Sequence, residues 1–493
     1  MRARGAAHSS WAPVAAIGVA APVCALIATV LPNLRTRNAA LVLLGLGGAA
    51  VFGGSLVVGR SRAGYGNGLR GLLLLSYFAT APVAFGKYLT EKADVFITTL
   101  GIAVWAPDLL LLGIAALCLL VLPQRPVAAL RWTLAAFAPL LGFVLLQALV
   151  APFSRNPTFG FFEVVRYGNA LLLTVVLVRI LERRDAGFVA AGLLLGAVAQ
   201  SFIAVGQYYR GWTFGQEIFG QTAGVLVGTF GDASSVRVTG LLGFPNALGS
   251  FLVLALPMGA ALALTPQRGW VRLAGASAVG LGLPALVFTY SRGAWIAFAA
   301  ANALVVFVEL MRRSARERIR LVALGVLVTL LAGASLYALY GDEIVARLQR
   351  SPAESLEIRS QLNWAALRVF TENPVLGVGP NVFPLELLAS NESEALAPAH
   401  DLYLLVLAEA GLVGFCLFAW QLARCLRPPA VGADDLVPDL PFAVHLGLWA
   451  GFAGFLLHQL VDITYAMPAI FRMLWLVATL CLFLQRPPAE KRA

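Results

Sequence analysis

The amino-acid sequence predicts an all-α fold, a polytopic transmembrane helical bundle. Three observations carry that expectation. Apolar residues make up 59% of the 493 residues and charged residues only 12%, against roughly 45–50% and about 25% in soluble domains. Mean hydropathy is +0.82. The apolar residues also gather in runs of the ~20 residues a helix needs to cross a hydrocarbon core about 30 Å thick. A water-soluble core cannot absorb this much apolar surface. That excludes a soluble enzyme, a disordered chain and a small secreted scaffold.

The runs fall at 12–32, 39–59, 69–86, 97–121, 127–150, 164–181, 187–208, 239–264, 269–290, 294–311, 320–340, 400–423, 441–461 and 464–485. They amount to about 12–14 spans. The first lacks an obvious small-residue cleavage site and reads as a retained helix rather than a signal peptide. The fourth contains Pro107 and Asp108 and reads as kinked or re-entrant. The five cysteines, Cys24, Cys118, Cys416, Cys425 and Cys481, form no C-x-x-C pair. They give no metal or disulfide signal.

Positive charge sets the expected sidedness. The densest cluster, Arg312, Arg313, Arg316, Arg318 and Arg320, sits in a short loop and anchors it to the cytoplasm. Both termini then lie in the cytoplasm. The net charge of +11 reads as membrane anchoring and not as nucleic-acid binding. The whole chain, 1–493, reads as one polytopic membrane domain. Its parts are an external loop at 209–238, core spans at 239–311, a long external loop at 341–399 and the last spans at 400–485. The long loop reads helically from Glu354 to Thr371 and breaks at Asn373-Pro374. Gly377-Val378-Gly379-Pro380 lacks the Lys and Ser/Thr of a phosphate-binding loop and reads as a turn.

Polar residues beside apolar spans are expensive and mark function by default. Arg292, in Tyr290-Ser291-Arg292-Gly293-Ala294-Trp295, falls at an external break between spans. A snorkelling interfacial Arg is the plain alternative. Arg237 precedes Gly243-Phe244-Pro245-Asn246, where Pro breaks an apolar run and Asn246 offers an amide. Arg359 and Arg368 lie on the helix of the long loop, where an exposed charge is the ordinary reading. Of the four His, His400 alone sits at the outer start of a span. There it is a structural group or a proton acceptor. His458 and Asp462 are four apart, on one face if that helix persists. No carboxylate or imidazole cluster suggests a metal, so the expected chemistry is metal-independent and needs no cofactor.

By topology, these Arg and His400 gather on the outer face of the bundle. Guanidinium forks suit phosphate, and apolar helices beside them suit a lipid tail. A lipid diphosphate satisfies both. Transfer from that carrier, lipid flipping and anion transport all remain open at this level.

A resemblance narrows the choice. Gly-Phe-Pro-Asn and Tyr-Ser-Arg-Gly-Ala-Trp within 239–295 resemble the core of the O-antigen ligase and polymerase superfamily. So does Glu372-Asn373-Pro374-Val375-Leu376-Gly377-Val378-Gly379-Pro380-Asn381-Val382-Phe383. His400-Asp401, then Gly411 and Gly414, is similar to the ligase pattern, except that the family has Asn, Ser or Gln where Asp401 stands. Asp401 is expected either to pair with His400 or to mark a branch with another acceptor.

The resemblance implies a GT-C-type membrane glycosyltransferase of the bacterial inner membrane, acting at the periplasmic face in lipopolysaccharide biosynthesis. It implies an undecaprenyl-diphosphate-linked glycan as donor. The acceptor is lipid A-core for a ligase, or a second lipid-linked glycan for a polymerase. His400, Arg292 and Arg359 are carried over as catalytic residues. Arg237, Asn246, Tyr290, Arg368 and Asp401 are expected to bind diphosphate or glycan. A transporter or flippase is the remaining alternative, but neither an inverted repeat nor a midplane polar site is evident.

Overall fold

A computed structural model describes residues 62–83, 86–88, 103–105, 107–111, 127–210, 237–349, 353–390, 397–429 and 440–485. The expected spans at 12–32 and 39–59, and most of the loop at 209–238, lie outside the described residues.

The fold is a helical bundle. Helices α1 (Arg62–Thr80), α2 (Val127–Ala136), α3 (Ala138–Val150), α4 (Pro157–Ile180) and α5 (Ala186–Arg210) come first. Helices α6 (Pro245–Leu264), α7 (Gly269–Phe288), α8 (Arg292–Met311) and α9 (Ala315–Gln349) follow. Helices α10 (Ala353–Glu372) and α11 (Phe383–Ala389) lead to α12 (Leu402–Cys425), α13 (Leu440–His458) and α14 (Pro468–Leu484). Seven of the described helices are long and apolar enough to cross a membrane: Pro157–Ile180, Arg183–Arg210, Pro245–Leu264, Gly269–Phe288, Arg292–Met311, Leu402–Cys425 and Leu440–His458.

The apolar run at 97–121 is not one helix. Within it, strand β2 (Ala103–Trp105) pairs antiparallel with β1 (Gly86–Tyr88). A short helical turn follows at 107–111. Asp108 there accepts from Arg472 of α14 at 2.6 Å. Pro107 and this ion pair give the interruption a physical reason, since a buried Arg needs a partner.

Helix α6 is the central post. Its apolar window is 83% buried, against 28% for α8, so α8 leaves far more of its surface outside the bundle. Small residues let neighbours approach α6 closely. A Cβ on Gly275 of α7 would meet the Gly259 carbonyl at 2.4 Å, and one on Gly447 of α13 would meet Met258 Cα at 2.1 Å.

The run at 239–264 becomes helical only at Pro245, which takes the first helical position. Residues 237–244 are irregular yet buried. Gln207 of α5 accepts from Thr239 N and Gly240 N, and Gln200 accepts from Leu241 N. Non-helical backbone is tolerated at such depth because protein groups satisfy it.

Helix α12 is broken at Gly411 (φ +62). The freed backbone groups are met by the Asn-Pro-Val-Leu-Gly-Val-Gly-Pro segment. Val378 N and Gly379 N donate to Ala408 O and Glu409 O, each at 3.0 Å. Leu412 N and Val413 N donate to Pro374 O and Val375 O at 2.8 and 3.2 Å. The expected turn at 377–380 is therefore also a plug in a broken helix. Gly377 has φ +70, and a Cβ there would meet the Glu409 carbonyl carbon at 2.4 Å.

Gly377→Ala should therefore destabilise the protein by at least about 1–3 kcal/mol, read as a lowered melting temperature of the purified full chain. Gly325→Ala, in open space on α9, is the control and should melt at or slightly above wild type. Equal melting of the two variants would contradict the plug.

Candidate active site

The site is built where α6, α8 and α12 begin and α7 and α13 end. Helix hairpins bring all five ends to one side of the bundle. The turn 459–467, between α13 and α14, is its floor. Leu402 N donates to Gln459 O at 3.0 Å, and Gln459 also bonds Thr464 and Tyr465 N. Ser250 of α6 bridges His458 Nδ1 at 2.7 Å and Thr464 Oγ1 at 2.6 Å.

Asp462 projects from this turn and is 9% exposed. Three polar residues from three segments gather on it, and a fourth, Arg237, joins through Asn246. Arg359 of α10 places Nη2 3.7 Å from Oδ2 and donates to Val461 O at 3.0 Å. His400 places Nδ1 3.9 Å from Oδ1, an ion-pair approach rather than a hydrogen bond. Asn246 Nδ2 donates to Oδ2. Asn246 Oδ1 in turn accepts from Arg237 Nη2 at 2.6 Å, and Arg237 Nε donates to Thr289 O at 2.8 Å. Burial pushes the Asp462 carboxyl up, but the His400 ring and the Arg359 guanidinium outweigh it and hold it at about 2.

The His400 backbone is fixed by Asn363 Oδ1 at 3.0 Å. Asn363 is four residues from Arg359, so one face of α10 grips both the turn and the His400 segment. Asp462 faces Nδ1, which is buried and has no hydrogen-bond partner. The other ring nitrogen is turned from the carboxylate.

Arg292 occupies the first position of α8, whose cap is the Ser291 hydroxyl. It is half-buried and has no hydrogen bond or ion pair among the described residues. Its neighbour Gly293 lies against the turn: a Cβ there would meet Val461 at 2.7 Å and His458 at 3.0 Å. A bulkier residue would push α8, and Arg292 with it, off the Asp462 turn. Tyr290 adopts φ +50 in the preceding turn, a conformation rare outside glycine and found where strain serves a site.

The structure thus joins Arg237, Asn246, Arg359 and His400, with Arg292 flanking them. Three expectations fare differently. Arg368 lies nine residues beyond Arg359, which is half a turn out of phase on a helix of 3.6 residues per turn. It faces away and pairs with Glu372 at 3.6 Å. Tyr290 is 2% exposed, so its ring is packed inside the bundle and offers little surface to a substrate. Asp401 does not pair with His400. Its Oδ1 caps α12, accepting from Tyr403 N and Leu404 N at 2.7 and 3.1 Å. Helix caps take Asn, Ser and Asp about equally, so this departure from the ligase pattern is conservative.

The sequence puts Asp462 on one face with His458 only if that helix persists, and α13 ends at His458. His458 instead approaches Ser291 Oγ at 3.4 Å from Nε2. An acid just past an apolar span was the available signal, because such a charge needs a partner. Among the described residues, no three His, Cys, Asp or Glu are grouped to hold a metal ion.

Comparison with known families adds one match. Residues 277–419 fit the family model described as O-antigen ligase. Over this stretch the chain is similar to the O-antigen ligase family. The ligase domain runs from α7 into α12. It takes in Arg292, Arg359 and His400, while Arg237, Asn246 and Asp462 complete the cluster from outside it. A search of curated proteins found no match.

The depressed Asp462 carboxyl fixes a sign. A group ordinarily at 3.8 and held at about 2 adds stability that is full well above pH 4 and is lost as pH falls toward 2. Wild type should therefore melt lower at pH 2.5 than at pH 5. Asp462→Asn should melt below wild type at pH 5 and show a smaller difference between the two. An undiminished pH difference would show that the carboxyl is not held.

Proposed function

We propose that this protein is an O-antigen-ligase-like glycosyltransferase. It moves a glycan from an undecaprenyl-diphosphate carrier to an acceptor hydroxyl, with lipid A-core as acceptor, at the periplasmic face of the bacterial inner membrane. Its termini are cytoplasmic. One observation carries the reading: within and beside the matched domain, a His, a carboxylate and several Arg meet at one end of an apolar bundle.

The roles follow from the chemistry of each group. His400 takes the proton of the acceptor hydroxyl at the nitrogen turned from Asp462. Asp462 holds the ring and stabilises the imidazolium that forms. The acceptor oxygen bonds to the anomeric carbon as the bond from that carbon to the phosphate oxygen breaks. The electron pair leaves with the diphosphate. Arg292, which has no hydrogen bond or ion pair among the described residues, stabilises the departing charge. It does so at a helix N-terminus, where backbone N–H groups and the dipole also favour an anion. Arg359 and the Arg237–Asn246 pair support the same charge from the other side. Arg368 and Tyr290 have no direct part.

His400→Ala should lower transfer about 10²–10⁴-fold and Arg292→Ala about 10²–10³-fold. Both variants should remain inserted and folded by protease resistance. Near-normal transfer by either one removes that residue from the mechanism. EDTA should leave the rate unchanged; inhibition reversed by a divalent ion would overturn metal-independent transfer. In a deletion strain, a ligase leaves lipid-linked chains accumulating and lipid A-core bare. Accumulation of single repeats would instead make the protein a polymerase.

A further inference from the structure

A second polar cluster lies behind the His400 segment, unused by the chemistry above. A cleft with about 520 Å³ of non-atom space, part of it open to the outside, lies between α3, α4 and α12. Gln147, Glu163, Glu409 and Tyr465 line it, with the rings of Phe143 and Tyr167. Pro398, two residues before His400, is at its edge, and Tyr465 is three residues past Asp462. Two polar atoms of its lining residues have no hydrogen-bond partner among the described residues. Gln147 Oε1 and the Tyr465 hydroxyl are buried without one, and their residues are 2% and 3% exposed. An unmet buried polar atom costs about 1–3 kcal/mol, so two on residues that line one cavity call for a guest.

The lining states the guest's chemistry. Arg166 cannot hold an anion here. Its Nε and Nη2 are taken by Glu163, its Nη1 reaches Ala466 O at 3.1 Å, and its guanidinium lies 4.1 Å over the Phe471 ring. The Glu163 carboxylate also repels phosphate. Glu409 is anchored by the Phe383 N–H at 3.2 Å, and its carboxyl group has further hydrogen-bonding capacity to offer. What remains is acceptors at Gln147 and Glu409, a donor at Tyr465, and aromatic walls. A hydroxyl both donates and accepts, and the C–H face of a sugar ring lies well against aromatics. Apolar and aromatic walls with a few placed polar groups are the usual make-up of a small-ligand site.

We propose that this cavity is a saccharide subsite, seating one sugar of the glycan substrates beside His400. This rests on the glycosyl-transfer reading and extends it to a place where a sugar is recognised. Because the two orphan atoms bond nothing among the described residues, their removal is expected to leave the fold intact.

The test uses the full chain in lipid nanodiscs and saturation-transfer NMR with methyl glycosides of glucose, galactose, rhamnose and N-acetylglucosamine. At least one should receive saturation from wild type. The signal should fall at least fivefold in Gln147→Leu and in Tyr465→Phe, which should melt no lower than wild type. It should persist in His400→Ala. In transfer assays with donor and acceptor extracted from the native envelope, each cavity variant should raise KM at least tenfold, with kcat within threefold. A rise for the lipid-linked glycan assigns the sugar to the donor, and a rise for the other substrate assigns it to the acceptor. No signal above empty nanodiscs, signals as strong as wild type in both cavity variants, or unchanged KM for both substrates would overturn the subsite and leave water as the occupant. Full transfer by His400→Ala alongside glycoside binding would instead defeat the catalytic reading and leave the subsite standing.

Discussion

The arrangement depends on one buried carboxylate. Taking Asp462 out of water costs several kcal/mol unless opposite charge and hydrogen bonds meet it. Here they come from α6 through Asn246, from α10 through Arg359 and from the start of α12 through His400. Segments far apart in sequence are thus drawn to one point by a charge that none can neutralise alone. The same demand fixes the order of the parts. Asn246 spends its amide N–H on Asp462 and its carbonyl on Arg237, so it relays the negative field to a second guanidinium. The Ser250–His458–Thr464 bonds hold the turn beneath. A proton acceptor and several cations can then stand together without collapsing into tight mutual salt bridges. Arg359 and His400 remain at 3.7 and 3.9 Å from the carboxylate.

The family pattern acquires a physical meaning in this frame. The residue after His400 is a helix cap, and Gly411 is where α12 opens to admit the 374–379 segment. Gly414 has no room for a side chain, since a Cβ there would meet Ala410 Cβ at 2.4 Å. The spacing from His400 to these glycines records the length of helix between the cap and the plug, and not a set of ligand contacts.

Much of this was legible in the sequence. Composition and run length gave the bundle. Charge beside apolar runs picked out Arg237, Asn246, Arg292, Arg359 and His400, because desolvated polar groups are rare enough to be informative. Arg368 was misplaced although its nine-residue offset from Arg359 already put it on the opposite helix face. Asp401 was read as a partner for His400 or as the mark of another acceptor, yet an acid immediately before an apolar run is also the signature of a cap. The β-ribbon inside 97–121 was hidden, since hydropathy cannot separate a buried strand from a stretch of helix. Asp462 was harder to place. Its alignment with His458 depended on whether the helix persisted, and the apolar pattern gives no sign that α13 stops at His458.

The plugged helix bears on which parts of the bundle can move. Helices α10 and α11 flank residues 374–379, which are stitched into α12 by four backbone hydrogen bonds, each worth roughly 0.5–1.5 kcal/mol net. A cover hinged at that seam could not lift without unravelling part of a membrane helix. The joint is a weld rather than a hinge, and any opening of the bundle has to happen elsewhere.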